Sequence, residues 1–414
     1  MSRLMKSRFL CLVICTLALG SINLLYGQQP ANSRRVFKVG VLASLTGSGS
    51  SLGQDTVAAL EIAADQLDAE AKANHGGYRF HLLVRDTEQD PVKALAAVKD
   101  LDQRGVHIII GPQTSSEVAM IKPYADAHDI LIISQGSTAS SLSIAGDNIF
   151  RFCPNDVREA EAVVALMQHD RIQWIVPLWR NDAGNNGLHD SVKAAFENVG
   201  GMVSSGFQYQ PTATDFSAAT TTVASQIQSL VTAGADPNRV AIYSAAFDEI
   251  VGVFHSAAAN ATLSSTHWYG SDGVALSAAL TGDASAAAFA ATAYYPNPTF
   301  GLDPALQNLW QPIANEIEAR TGIAPDAFAL SAYDALFVVE RALQSAGNLK
   351  DFAAFKAAFV EAANAYSGIT GSTALDPAGD RLSGDFDFWA VRQVSGSFNW
   401  VRIGAYRNGT ITLF

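Results

Sequence analysis

Cysteine is nearly absent from this chain, at three in 414 residues, too few for a disulfide scaffold. Charged residues are also sparse, at 16% against 49% hydrophobic. Intrinsic disorder needs the reverse balance, so most of the chain can build packed cores. Basic side chains are the scarcer sign, 27 against 39 acidic. With no basic patch, no nucleic-acid partner is expected. Metal-ligand spacing is missing as well. His75, His81, His107, His128, His169, His189, His255 and His267 are scattered, with no H-x-x-x-H pair. Residues 376–384 (DPAGDRLSG) hold acids and glycines without the calcium-loop order. No metal and no cofactor are expected.

What the chain does have begins with a targeting pattern. Arg3, Lys6 and Arg8 precede an apolar run at 9–19 (FLCLVICTLAL), which is short for a bilayer span, and small residues follow at Gly20 and Gly27. This is the layout of a secretory signal peptide. Cleavage is expected after Gly27, with Gly20 as the alternative. Neither Cys11 nor Cys15 follows a small residue, so a lipoprotein signal does not fit. Loss of Arg3, Lys6 and Arg8 with residues 1–27 moves the net charge from −12 to −15 and leaves Cys153 as the one cysteine. No later run of 18 apolar residues occurs, so the mature chain is not expected to span a membrane.

The remainder alternates strand and helix. Residues 36–45 form an apolar, β-branched run that reads as a buried strand. In residues 52–72, the apolar Val57, Leu60, Ile62, Ala64 and Leu67 read as one amphipathic helix. Strands at 79–85, 106–110 and 130–134 then alternate with helices at 91–104 and 115–127. The same grammar restarts at 156 and runs to about 270, and a helical stretch covers 304–363. Strands separated by whole helices imply parallel sheets with helices on both faces. The expected fold class is α/β, with two Rossmann-like lobes.

Some motifs carry less than they suggest. Gly47, Gly49 and Gly53 give G-x-G-x-x-x-G, one residue too long for a dinucleotide fingerprint. Residues 49–53 (GSSLG) match the nucleophile elbow of α/β hydrolases with Ser51 as nucleophile, but that elbow normally follows several strands rather than the first. A glycine-rich turn is the simpler reading. Two hydroxyl-rich turns carry more. Residues 111–117 (GPQTSSE) follow one apolar strand and 134–138 (SQGST) follow the next. Ser115 and Ser116 stand where a helix begins, where hydroxyls and free N–H groups cap the helix or hold an anion. Two such turns at the carboxyl ends of adjacent parallel strands mark a ligand site.

At this point the chain resembles the type 1 periplasmic binding proteins of the leucine/isoleucine/valine-binding kind, the solute-binding components of branched-chain amino-acid ABC transporters. The likeness runs from about residue 36 to the end. It is carried by KVGVLASLTGSGSSLGQD, IIIGPQTSSEVA, ILIISQGSTASSL, IFRFCPND, YGSDGVA and SAYDAL, in that order. The resemblance implies two lobes joined by three hinge crossings, near 150–155, 292–297 and 367–371. That gives a first lobe of 34–151 and 294–367 and a second of 152–293 and 368–414. It further implies that the α-carboxylate of an amino acid is held by Ser115 and by Gly136, Ser137 and Thr138, and the α-ammonium by Asp272. Family aromatics are replaced at Leu52 and Ala183 and fall at Ala246 or Phe247 in a third place, which suggests a differently shaped pocket in which Trp179 or Tyr294 compensates. The implied function is that of an exported, non-enzymatic periplasmic protein that delivers a small polar ligand to a membrane permease by cleft closure. The rivals are a ligand sensor of the same fold and a secreted α/β hydrolase using Ser51.

Overall fold

A computed structural model describes residues 35–47 and 49–414; the signal peptide expected over 1–27 lies outside them. The chain starts with β1 (Arg35–Ala43), α1 (Ser50–Ala73), β2 (Tyr78–Asp86), α2 (Pro91–Gln103), β3 (Ile108–Ile110), α3 (Ser115–Ala127), β4 (Leu131–Ser134) and β5 (Ile149–Arg151). These strands form one parallel sheet in the order β2-β1-β3-β4-β5. β3 and β4 are buried throughout, which is why they read as unbroken apolar runs rather than alternating ones. Gly53 belongs to the packing of this unit and not to a phosphate site. A Cβ there would lie 1.9 Å from the carbonyl oxygen of Ser44, so only glycine lets α1 press on the end of β1.

The second α/β unit comprises α4 (Asp156–His169), β6 (Trp174–Arg180), α5 (Ala183–Asn198), β7 (Met202–Val203), β8 (Phe207–Tyr209), α6 (Ser217–Thr232), β9 (Val240–Ala245), α7 (Ile250–Ala257), α8 (Ala261–Ser265), β10 (His267–Tyr269), α9 (Ala278–Gly282) and α10 (Ala284–Thr292). Its parallel sheet runs β10-β9-β6-β7, with β8 also on β6. The segment 202–209 carries two short strands rather than one. The ladder breaks opposite Pro177, which has no N–H to give it, and Gly206 turns there with φ 60°.

The rest of the chain is β11 (Asn297–Gly301), α11 (Gln307–Thr321), α12 (Ala327–Ala346), α13 (Phe352–Ala365), β12 (Ser367–Gly368), β13 (Gly371–Ser372), β14 (Asp385–Val394), β15 (Ser397–Arg407) and β16 (Thr410–Leu413). β11, β14, β15 and β16 form an antiparallel sheet. Helices α11 to α13 bury Ile317, Leu336 and Phe359 in the first unit's core. No helix among the described residues is long and apolar enough to cross a membrane.

The chain passes between the two units three times. Phe152 belongs to the first core and Ala160 to the second unit's. Tyr295 packs in the second unit, whereas Phe300 meets Cys153 and Phe328. Ile369 and Leu375 join the first core and Phe386 the second unit's. We accordingly place the third crossing at 376–385, later than 367–371.

One ion pair ties the first and third crossings together. Arg151 and Asp380 are each 1% exposed and paired. The Arg151 N–H donates to the Gly379 carbonyl at 2.9 Å, and the Arg381 N–H donates to the Arg151 carbonyl at 3.0 Å. The Arg151 guanidinium also donates to the Ala139 carbonyl at 2.6 Å and to Ser143 Oγ at 2.7 Å. Removing one member leaves the other as an unpaired charge in the interior. Asp380→Ala is expected to destabilise the protein by about 3–5 kcal/mol in chemical denaturation; wild-type stability would contradict this role for the pair.

Candidate functional site

A cavity of ≈ 290 Å³ lies between the carboxyl ends of the two parallel sheets. Leu52, Ser115, Gly136, Thr138, Phe247 and Asp272 all line it. Six of the eight residues singled out from sequence thus share one cavity, although they span more than two hundred positions.

Two do not line it. Ser137 is fully buried behind Ser115 and donates to Ser115 Oγ at 3.0 Å. Ala183 lines a separate groove between α4 and α5 with Val164 and Ala195. The reason is helix phase. Asp182 caps α5, its Oδ1 accepting the Asn185 N–H at 2.9 Å. Ala183 is therefore the first helical residue and turns outward, while Gly184 and Asn185 face the cavity. The N-cap aspartate was the signal that could have placed them. Trp179 and Tyr294 do not serve as pocket walls either. Trp179 stacks on His189 at 3.8 Å and bonds Asn186, and Tyr294 packs beside Arg392 and Tyr269. The aromatic wall comes from Phe247 and from Phe328, the latter not anticipated.

The first hydroxyl turn divides its work. Thr114, and not Ser115 or Ser116, caps α3, in a capping box with Glu117: Thr114 Oγ1 donates to Glu117 Oε2 at 2.6 Å and accepts the Glu117 N–H at 3.4 Å. This releases Ser115. Its Oγ accepts from Ser137 Oγ at 3.0 Å and from the Ala139 N–H at 3.2 Å. A hydroxyl with both lone pairs engaged keeps its proton to donate, and Ser115 lines the cavity. The positive end of the α3 dipole adds to this anion-accepting corner. Ser134 braces the second turn by accepting from the Ser137 N–H at 3.0 Å and donating to the Pro112 carbonyl at 2.6 Å.

The opposite wall is acidic. Asp272 follows β10, and Glu159 of α4 holds its backbone, Glu159 Oε1 accepting the Asp272 N–H at 3.1 Å. Burial first, then the negative charges of Asp156 and Asp326, pushes the Asp272 carboxyl up to about 7; the Gly273 N–H partly offsets this. Asp156 is likewise pushed up to about 7 by burial, against hydrogen bonds from Thr138 and Ser140. Glu159 is held well above the usual carboxylate range by burial and by the charges of Asp272 and Asp156. Asp326, the N-cap of α12, is pushed up to about 6, again by burial.

Ser51 lies at the start of α1 and lines the cavity, but no histidine does. A serine without a base at hand is not activated as a nucleophile, so the hydrolase arrangement is not assembled.

Residues 36–397 match the sequence model of a family described as periplasmic binding protein. The chain belongs to that family. This periplasmic binding protein is 24% identical over 356 residues to the Leu/Ile/Val-binding protein BraC3 of Rhizobium johnstonii, covering 85% of this chain and 90% of that one. Among solved structures it resembles the branched-chain amino acid transporter substrate-binding protein LivJ of Streptococcus pneumoniae in complex with isoleucine, with TM-score 0.70 and 18% identity over 89% of this chain and all of that one. It also resembles a solute-binding protein of R. palustris in complex with 4-hydroxybenzoate, with TM-score 0.71 and 14% identity over 91% and 98% of the two chains. The fold is that of the type 1 periplasmic binding proteins.

Carboxyls whose folded-state pKa is raised take up protons on folding, so their stabilisation is present at low pH and is lost as pH rises from the unfolded value of 3.8 through about 7. In thermal melts the ligand-free protein should lose stability over that window, and Asp272→Asn should flatten the slope. An identical slope in the variant would mean that Asp272 titrates normally.

Proposed function

We propose that this periplasmic binding protein is an exported solute-binding protein that captures a small polar molecule, an amino acid or close analogue, and presents it to the membrane permease of an ABC transporter. The observation that carries this reading is a single cavity with a proton-donating hydroxyl, Ser115, on one lobe and a carboxylate, Asp272, on the other. A zwitterion needs donors at one end and an acceptor of opposite charge at the other. A ligand that contacts both lobes at once favours the closed arrangement over the open one, which is how binding becomes a signal for the permease. The role is binding without turnover. The signal-peptide pattern at 3–27 supports a location outside the cytoplasm, and relatives named as Leu/Ile/Val-binding proteins support an amino-acid ligand.

Calorimetry with a panel of amino acids, amides and small carboxylates tests the proposal. With the ligand so found, Asp272→Ala is expected to weaken binding by about 2–5 kcal/mol, because the ammonium loses a desolvated partner. Ser115→Ala is expected to cost about 1.5–3 kcal/mol, the worth of a hydrogen bond to a charged group. Silence across the panel with folded protein, or undiminished affinity in Asp272→Ala, would refute it.

A further inference from the structure

Charge in the cavity is one-sided. Asp182, Asp248, Asp272 and Asp326 line it, and no lysine, arginine or histidine does. Asp182 is balanced from behind by Arg180, whose Nε lies 2.6 Å from its Oδ2. Asp248, Asp272 and Asp326 have no ion-pair partner among the described residues. Asp248 Oδ1 accepts from Ser277 Oγ at 2.6 Å and Asp326 Oδ1 accepts the Ala329 N–H at 2.8 Å, and neither contact supplies a counter-charge. Gln113, also on the wall, has a buried Oε1 without a partner. Three carboxylates on the wall thus face the cavity with no cationic side chain to answer them.

A zwitterion with one ammonium answers one of these carboxylates. A neutral apolar side chain would then be enclosed beside others that have no counter-ion, which is the costly state of a buried charge. The lobes sharpen the point. Asp272 follows the last parallel strand of the second unit, and Asp326 starts α12, which packs in the first. Like charges on facing lobes resist closure, whereas a cation between them draws the lobes together. Phe328, two residues beyond Asp326, lines the same wall and gives an alkyl stem an apolar surface.

We propose that the occupant is an α-amino acid bearing a second positive group, an amine or guanidinium at the end of its side chain, with Asp326 as the partner of that group. This deepens the amino-acid reading of the site and rests on it. It sets this cavity apart from one made for a neutral branched-chain ligand.

The test is calorimetry at pH 8 with lysine, arginine, leucine and glutamate, on the wild-type protein and on Asp326→Asn. Asparagine also caps helices, so the variant keeps the start of α12. The expected result is lysine or arginine binding at least tenfold tighter than leucine, no binding of glutamate, and a fall of tenfold or more in the ratio of basic to leucine affinity in Asp326→Asn. Leucine binding as tightly as either base, or an unchanged ratio in the variant, would overturn the inference and leave the amino-acid site standing. Failure of all four to bind a folded protein would overturn the inference, and silence across the wider panel as well would overturn the amino-acid reading itself.

Discussion

Negative charge enclosed without a counter-ion is the constraint around which this molecule is arranged. Asp272 sits next to Asp156 and Glu159, and Asp326 faces them from the other lobe. Burial raises the proton affinity of all four; the charges of Asp156 and Asp326 raise that of Asp272 further, and those of Asp272 and Asp156 raise that of Glu159. An empty, closed cleft is therefore electrostatically unfavourable at neutral pH. A ligand that brings positive charge relieves the repulsion, and the same event that fills the site stabilises the closed arrangement. Recognition and closure are in this sense one free-energy change.

The scaffold supplies the fixed half of that arrangement. Ser115 is held by Ser137 and by the Ala139 N–H, and the Ala139 carbonyl is held by Arg151. Arg151 in turn pairs with Asp380 on the crossing that leads to β14. The Ser115 hydroxyl on the cavity wall is thus wired through buried hydrogen bonds to the segment that joins the lobes. The opposite half is braced by Glu159, which grips the Asp272 turn from α4 just after the first crossing. Both walls of the cleft are anchored at the ends of crossings, so small changes in hinge geometry move Ser115 and Asp272 relative to each other.

Much of this was legible in the sequence. The alternation of β-branched runs with helical periods defines two parallel sheets because strands covered on both faces must be apolar throughout. That Ser115, Gly136 and Thr138 line one cavity was legible because turns at strand carboxyl ends border the cleft in such sheets, whereas Asp272 was indicated only by the family resemblance. What escaped has physical causes too. Ala183 and Gly184 are adjacent in sequence but a helical turn sends them to different surfaces, and the phase depends on Asp182 as the cap. Asp326 reads as an ordinary N-cap, which it is; its approach to the cavity depends on how α12 docks. Asp248 and Phe328 became neighbours of the site only through tertiary packing. In the C-terminal antiparallel sheet, the pairing of β11 with β14 joins residues almost ninety positions apart and leaves no local pattern.

The most direct measurement of the central claim is mass spectrometry of the small molecule released when the protein, purified from the cells that naturally make it, is denatured. The released compound is expected to carry both a carboxylate and a primary amine. Release of a tightly held ligand without any cationic group, such as a sugar or a simple aromatic acid, would contradict it.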